Sequence, residues 1–166
     1  MLQKIAFALV AMFVFAVESI ADNRRDSHGG KHPLKGRAEM KRTDFGHTGD
    51  PRKVTRTIPV DTSDTMRFTP GAITVKRGET VRFVVTNSGK QMHEMVLGTM
   101  AELKGHAALM RKHPEMEHDE PYMAHVASGK KAEIIWQFTK AGEFHYGCLV
   151  PGHFEAGMIG KIVVRP

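Results

Sequence analysis

The sequence predicts an all-β sandwich or barrel of seven or eight short strands, with one helical insertion and a flexible N-terminal tail. Two observations predict this fold. Apolar residues alternate along several short runs, and turns containing Gly or Pro separate those runs. The chain has 166 residues, enough for one domain with a tail, and its single Cys excludes an internal disulfide.

The N-terminal segment 1–21 has the features of a secretory signal. Lys4 precedes an uncharged apolar run at 5–17, and Ser19 and Ala21 place small residues before the cleavage position. The run is short for a bilayer span, which is about 20 apolar residues. We therefore expect a periplasmic protein, cleaved after Ala21, that keeps no membrane anchor.

Residues 22–52 are predicted to form a flexible, basic tail that contains several His residues. The segment is rich in Gly, Lys, Arg and His and has neither a strand nor a helix period. Residues 22–53 contain nine basic and five acidic residues, which is most of the net charge of +6. Because the globular part, 53–166, lacks a basic stripe, we expect no nucleic-acid partner.

The globular part begins with a series of strands. They are predicted at 53–60, 66–68, 73–76, 81–86, 92–97, 132–138, 143–148 and 158–164. Val81, Phe83 and Val85 share one face of their strand, so that face is expected in the core. This length of chain is enough to bury one modest core.

The insertion near 99–127 is rich in Met and His and begins with a helix. Thr99 and Glu102 form a capping box, and Pro114 ends the helical pattern, which predicts a helix at 100–112. A loop at 114–128 leads back to the strands. The apolar face of the helix is predicted to consist of Met100, Leu103, Ala107 and Met110.

One group of residues has the chemistry of a metal site. Cys148, at a predicted strand end, is followed at intervals of five by His153 and Met158, in a loop long enough to fold back. A second imidazole is available from His93, at the start of another strand. Two His, a thiolate and a weak axial Met are the ligands of a trigonal copper site for electron transfer.

Two other interpretations of these residues remain open from the residue types alone. Zinc accepts His and Cys ligands, but Met is a poor ligand for zinc. A cysteine nucleophile with a His base is the second alternative, although no Gly pattern of an oxyanion hole accompanies Cys148.

Two long motifs extend this interpretation. The segments MRFTPGAITVKRGETVRFVVTNSGKQMHEMVLG and GEFHYGCLVPGHFEAGMIGKIVV resemble the cupredoxin family, and most of all its periplasmic copper-tolerance (CopI-like) members. The resemblance implies a Greek-key β-barrel with a type 1 copper bound by His93, Cys148, His153 and Met158. It also implies that Asn87 ties the two ligand loops together and that His153 is the electron port.

The insertion carries further soft metal ligands. Thioether and imidazole groups suit Cu(I), which predicts extra copper sites in this segment. The alternative is that Met fills gaps in the core and His is a solvated polar residue. The candidate ligands are His106, Met110, His113, Met116, His118, Met123 and His125.

Together these features predict an exported copper-binding protein that acts in copper tolerance, by binding copper and by oxidising Cu(I). The expected partners are copper ions and a redox protein. A simple one-electron carrier between redox partners is the alternative, and a scaffold or adhesion domain with an incidental thiol is a third. No catalytic residue is assigned, and an enzymatic activity is left open.

Overall fold

The computed structural model describes residues 42–116 and 118–166, and these contain eleven strands and one α-helix. The helix α1 (Met100–Lys112) lies between β7 and β8. The strands are β1 (Arg42–Thr43), β2 (Gly46–Thr48), β3 (Arg56–Ser63), β4 (Arg67–Thr69), β5 (Ala72–Lys76), β6 (Thr80–Asn87), β7 (His93–Gly98), β8 (Met123–Val126), β9 (Lys131–Phe138), β10 (Gly142–Gly147) and β11 (Ile159–Arg165). The predicted all-β fold is confirmed, and the strands that were not predicted are the short β1, β2 and β8.

The strands form two sheets. One has the order β1-β2-β9-β6-β3-β4 and the other has the order β5-β11-β10-β7-β8. The pairs β3–β6 and β5–β11 are parallel, and the other pairs are antiparallel. Because β7 and β10 are antiparallel neighbours, the start of β7 lies beside the end of β10. His93 and Cys148 are therefore at the same end of this sheet.

The core lies between the two sheets, and it contains the residues that alternation predicted. Val81, Phe83 and Trp136 have no exposed surface, and Phe138 packs edge-on against Phe83 at 6.3 Å between ring centroids. Close packing of this kind resists local movement, because interiors contain few voids. The two sheets therefore form a rigid frame for the loops at their ends.

The predicted tail, 22–52, ends too late in the sequence. Residues 42–52 belong to the structured domain. β2 pairs with β9, and Phe45 is buried between Trp136 and Phe144 at centroid distances of 5.5 and 5.0 Å. A short 3-10 helix, Pro51–Lys53, follows. Phe45 was not recognised as a core residue because the residues around it in the sequence are polar. The signal segment 1–21 and tail residues 22–41 lie outside the described residues.

The predicted helix is confirmed with its bounds. The Thr99 hydroxyl accepts from the Glu102 backbone N–H at 3.2 Å, and the Glu102 carboxylate accepts from the Thr99 N–H at 2.7 Å. Leu103, Ala107 and Met110 are buried, against a second small core that includes residues of β7 and of the loop after β10. The helix thus covers the face of β7 that carries Val96.

The predicted loop at 114–128 is partly wrong, because it contains β8. This strand has four residues and pairs antiparallel with β7, with His93 opposite Val126. It is too short to show an alternation of its own, and its pairing with the edge of β7 determines its conformation. Across 42–116 and 118–166, no helix combines the length and the apolar character needed to cross a membrane.

Candidate metal centre

Three buried side chains meet where β7 begins and β10 ends. His93 is the first residue of β7, Cys148 directly follows β10, and His153 lies in the loop that joins β10 to β11. One donor atom from each lies within 4.8 Å of the others. His93 and Cys148 have no exposed surface, and His153 is 8 % exposed. The three predicted strong ligands are therefore brought together in a nearly dry site.

The ring nitrogens are oriented for metal binding. His153 Nδ1 lies 3.3 Å from Cys148 Sγ, and His93 Nδ1 is buried without a hydrogen-bond partner. A buried polar atom without a partner costs free energy, of the order of 1–3 kcal/mol, so its presence needs an explanation. A metal ion bound at Nδ1 supplies one, and the donor set of two imidazoles and a thiol fits copper.

The loop between β10 and β11 folds back on itself. The Cys148 backbone N–H donates to the Met158 carbonyl at 3.1 Å, and the Met158 N–H donates to the His153 carbonyl at 3.1 Å. Gly152 and Gly157 have φ values of 88° and 87°, which favour glycine. Met158 is thereby placed beside Cys148, fully buried in the main core.

Burial controls the protonation of the donors. It raises the pKa of the Cys148 thiol to about 12, although the Glu94 N–H donates to Sγ at 3.4 Å and works in the opposite direction. Burial, followed by the neighbouring His93, lowers the pKa of His153. The metal-free site therefore contains a protonated thiol and a neutral imidazole at neutral pH, and a metal ion must displace the thiol proton.

Asp64 orients His93, and no pattern in the sequence predicts this contact. Its carboxylate lies 3.2 Å from His93 Nε2 and accepts the N–H groups of Lys90 at 2.8 Å and Gln91 at 3.2 Å. These backbone hydrogen bonds are the main cause of its lowered pKa. A carboxylate behind a ligating imidazole fixes the ring and increases its basicity. No spacing in the sequence connects the β3–β4 turn with His93.

Asn87 makes contacts different from those that the resemblance implied. Its side-chain amide donates to the carbonyls of Gln91 at 2.7 Å and Val126 at 2.8 Å, and its Oδ1 accepts from the Gly89 N–H at 2.8 Å. These bonds tie the segment before His93 to β8, and none of them reaches the loop at 149–157.

The connection between the two ligand segments is made by Glu94, which was not predicted. Its Oε1 accepts from the Leu149 N–H at 2.8 Å, and its own N–H points at Cys148 Sγ. The side chain is 2 % exposed, and desolvation raises its pKa. The position of Glu94 between His93 and Met95 in a buried strand could have indicated this role. A carboxylate is rarely buried without a specific partner.

The structure divides the predicted extra copper ligands into three groups. His106, His118 and His125 lie together, with ring centroids 4.5 Å apart for the first pair and 5.9 Å for the second. Three of the Met residues pack around the second core, and His113 is exposed at the end of α1. Those Met residues are Met110, Met116 and Met123.

The family follows from these features and from the comparison with known sequences. Residues 54–165 match the family described as copper binding proteins of the plastocyanin/azurin type. The chain belongs to this family, and it is a cupredoxin whose cofactor is copper. This agrees with the donor set at the end of the sandwich and confirms the predicted resemblance.

Individual relatives extend the comparison. The chain is 54 % identical over 152 residues to the copper-resistant cuproprotein CopI of Rubrivivax gelatinosus, a match that covers 92 % of this chain and 91 % of that protein. It is 37 % identical over 151 residues to CopI of Pseudomonas aeruginosa, with coverage of 74 % and 83 %.

Solved structures support the fold. Auracyanin B superposes with a TM-score of 0.61 at 19 % identity, covering 74 % of this chain and 96 % of that one. Auracyanin A of Chloroflexus aurantiacus gives a TM-score of 0.57 at 26 % identity, with coverage of 66 % and 98 %. Because auracyanin B is only 19 % identical to this chain, its similarity is evidence for the fold alone.

Proposed function

We propose that His93, Cys148, His153 and Met158 hold a type 1 copper, and that the protein serves copper tolerance in the periplasm. One observation carries this proposal: a thiol and two imidazoles converge in a buried site, with His93 Nδ1 left without a protein partner. Met158, buried beside Cys148, would supply a weak thioether ligand.

The copper supplies one-electron chemistry, and the protein keeps the site dry and rigid. Asp64 fixes the ring of His93, and Glu94 holds the backbone after Cys148. The Glu94 N–H stabilises negative charge on the sulfur. When one ligand geometry suits both Cu(I) and Cu(II), the ligands move little as the copper gains or loses an electron. Electron transfer is therefore fast.

The tolerance role draws on the relatives. Two proteins with the name copper-resistant cuproprotein are 54 % and 37 % identical to this chain. We propose that Cu(I) is a substrate, oxidised to Cu(II) with loss of one electron that a redox protein takes up. The signal segment 1–21 supports export to the periplasm and release from the membrane after Ala21.

The simple electron carrier remains the second candidate, because one ligand reaches the surface. His153 is 8 % exposed, whereas the other three proposed ligands are 0 % exposed. Electrons would therefore enter or leave the site through the His153 ring.

Two measurements separate these functions. The oxidised, copper-loaded protein, mixed anaerobically with a weak Cu(I) chelate, should lose its visible band in proportion to the Cu(I) oxidised. Periplasmic expression should also restore growth on copper to a copper-sensitive host, and Cys148→Ser should not. A band that Cu(I) leaves unchanged, together with no gain in tolerance, would favour the simple carrier.

A further inference from the structure

The connection between β3 and β4 contacts both segments that carry the predicted copper ligands. Asp64, in this connection, lies 3.2 Å from His93 Nε2 at the start of β7. Arg67, the first residue of β4, contacts the loop that joins β10 to β11, where its Nη1 donates to the Ala156 carbonyl at 2.9 Å. One short stretch of chain therefore touches two ligand segments that are far apart in the sequence.

The residues on either side of Arg67 fix its position. Its Nη1 also donates to the Met66 carbonyl at 2.7 Å. Met66 has a φ of 57°, a left-handed conformation that residues with a side chain adopt only when their surroundings impose it. On the other side, Phe68 is buried and packs edge-on against Tyr146, with ring centroids 5.0 Å apart. The guanidinium of Arg67 therefore projects from a well-anchored backbone.

Arg67 contacts the loop directly before Met158. Gly157 has a φ of 87°, and a Cβ built on it would lie 3.4 Å from Arg67 Nη1. The guanidinium thus packs on the bare backbone of Gly157, which only glycine leaves open at this φ. Because Met158 is the next residue, the peptide group that Arg67 holds lies one residue before the buried thioether.

We propose that Arg67 is a positioning residue for the copper centre, because it fixes the Ala156–Gly157 peptide and thereby the place of the Met158 sulfur. The effect on the metal rests on the proposed type 1 copper, whereas the hold on the loop does not. The weak thioether ligand of such a site tunes its reduction potential. A closer thioether stabilises Cu(II), so a loop held by Arg67 lowers the potential and a released loop raises it.

The charge of Arg67 acts in the opposite direction. A nearby cation favours Cu(I), so the loss of this charge alone lowers the potential. Arg111 of α1 provides a comparison, because its guanidinium pairs with the carboxylate of Glu155 in the same loop. Both side chains of that pair are exposed, and such pairs contribute little to stability. The sign of the change in potential therefore separates a hold on the loop backbone from a loss of charge.

The first measurement uses the copper-free mature protein. Arg67→Gln changes an exposed side chain, so the core stays intact. The Gly157 and Met158 amides, both hydrogen-bonded within the loop, should exchange with solvent up to about 10-fold faster in this variant. Arg111→Gln is the matched control and should exchange at the parent rate. Equal exchange rates in the two variants overturn the positioning role.

The second measurement uses the same proteins loaded with one copper, at high salt so that exposed charges are screened. Arg67→Gln should raise the reduction potential and shift the thiolate-to-copper band, whereas Arg111→Gln should change neither. A potential that falls in Arg67→Gln, or that shifts equally in both variants, overturns the effect on the copper. If the parent protein never forms the band, the proposed function fails instead, and the exchange rates still decide whether Arg67 holds the loop.

Discussion

The metal centre depends on single residues that the ligand pattern does not include. Asp64 and Glu94 hold His93 and the backbone after Cys148, and both act through hydrogen bonds of 2.8–3.2 Å. The convergence of His93, Cys148 and His153 was predictable, because His, Cys and Met at strand ends form a chemical set. The two carboxylates were not, because only the folded chain brings them to the site.

Replacing Asp64 by Asn should weaken the centre without unfolding the protein. The amide oxygen still accepts the Lys90 N–H, but the negative charge behind His93 is lost, which destabilises Cu(II). We expect a higher reduction potential and a roughly 10-fold loss of Cu(II) affinity. Voltammetry and competition with a chelator measure both. Asp61→Asn is the control, because Asp61 contacts Ser88 instead. Equal potentials in the two variants would contradict the orienting role.

The raised pKa of Cys148, about 12, predicts how copper binding depends on pH. Below that pKa the free thiol holds its proton, so each copper bound releases about one proton. Since burial lowers the pKa of His153, that imidazole does not compete near pH 7–9. Apparent Cu(II) affinity should therefore rise about 10-fold per pH unit between pH 7 and 9. Chelator competition across this range measures it, and a slope unchanged in Cys148→Ser would contradict it.

At the scale of elements, the long helix and strands could be predicted from their sequence patterns, whereas the shortest strands could not. Helix α1 was predicted because its capping box and Pro114 mark both ends. The short β1, β2 and β8 were missed, since two to four residues carry no detectable period. Their conformation comes from the partner strands, β9 and β7, and from the burial of Phe45.

The segment before residue 53 should contribute to stability. Phe45 is 1 % exposed, so Phe45→Ala should lower the free energy of unfolding by about 3–5 kcal/mol. Denaturant unfolding of the copper-free protein measures this. Asp44→Ala, at an exposed position one residue earlier, is the matched control and should change stability by less than about 0.5 kcal/mol. Similar small losses in both variants would mean that the segment behaves as a tail.

At the scale of the whole molecule, two packed sheets carry both ligand segments at one end. The family match covers 54–165, and the insertion within it adds a cluster of three His behind the centre. The fold class and the clustering of His93, Cys148 and His153 could be predicted from alternation and residue chemistry. The clustering of His106, His118 and His125 could not be predicted, because it depends on how α1 and β8 pack.

The central claim is the thiolate-bound copper, and a titration of the metal-free mature protein with Cu(II), followed by visible and EPR spectra, tests it most directly. We expect an intense thiolate-to-copper band that saturates with the first copper and is absent in Cys148→Ser. Met158→Ala should keep the band and shift it, because only the weak thioether ligand is lost. A first copper that binds without this band, or a band that persists in Cys148→Ser, would contradict the account.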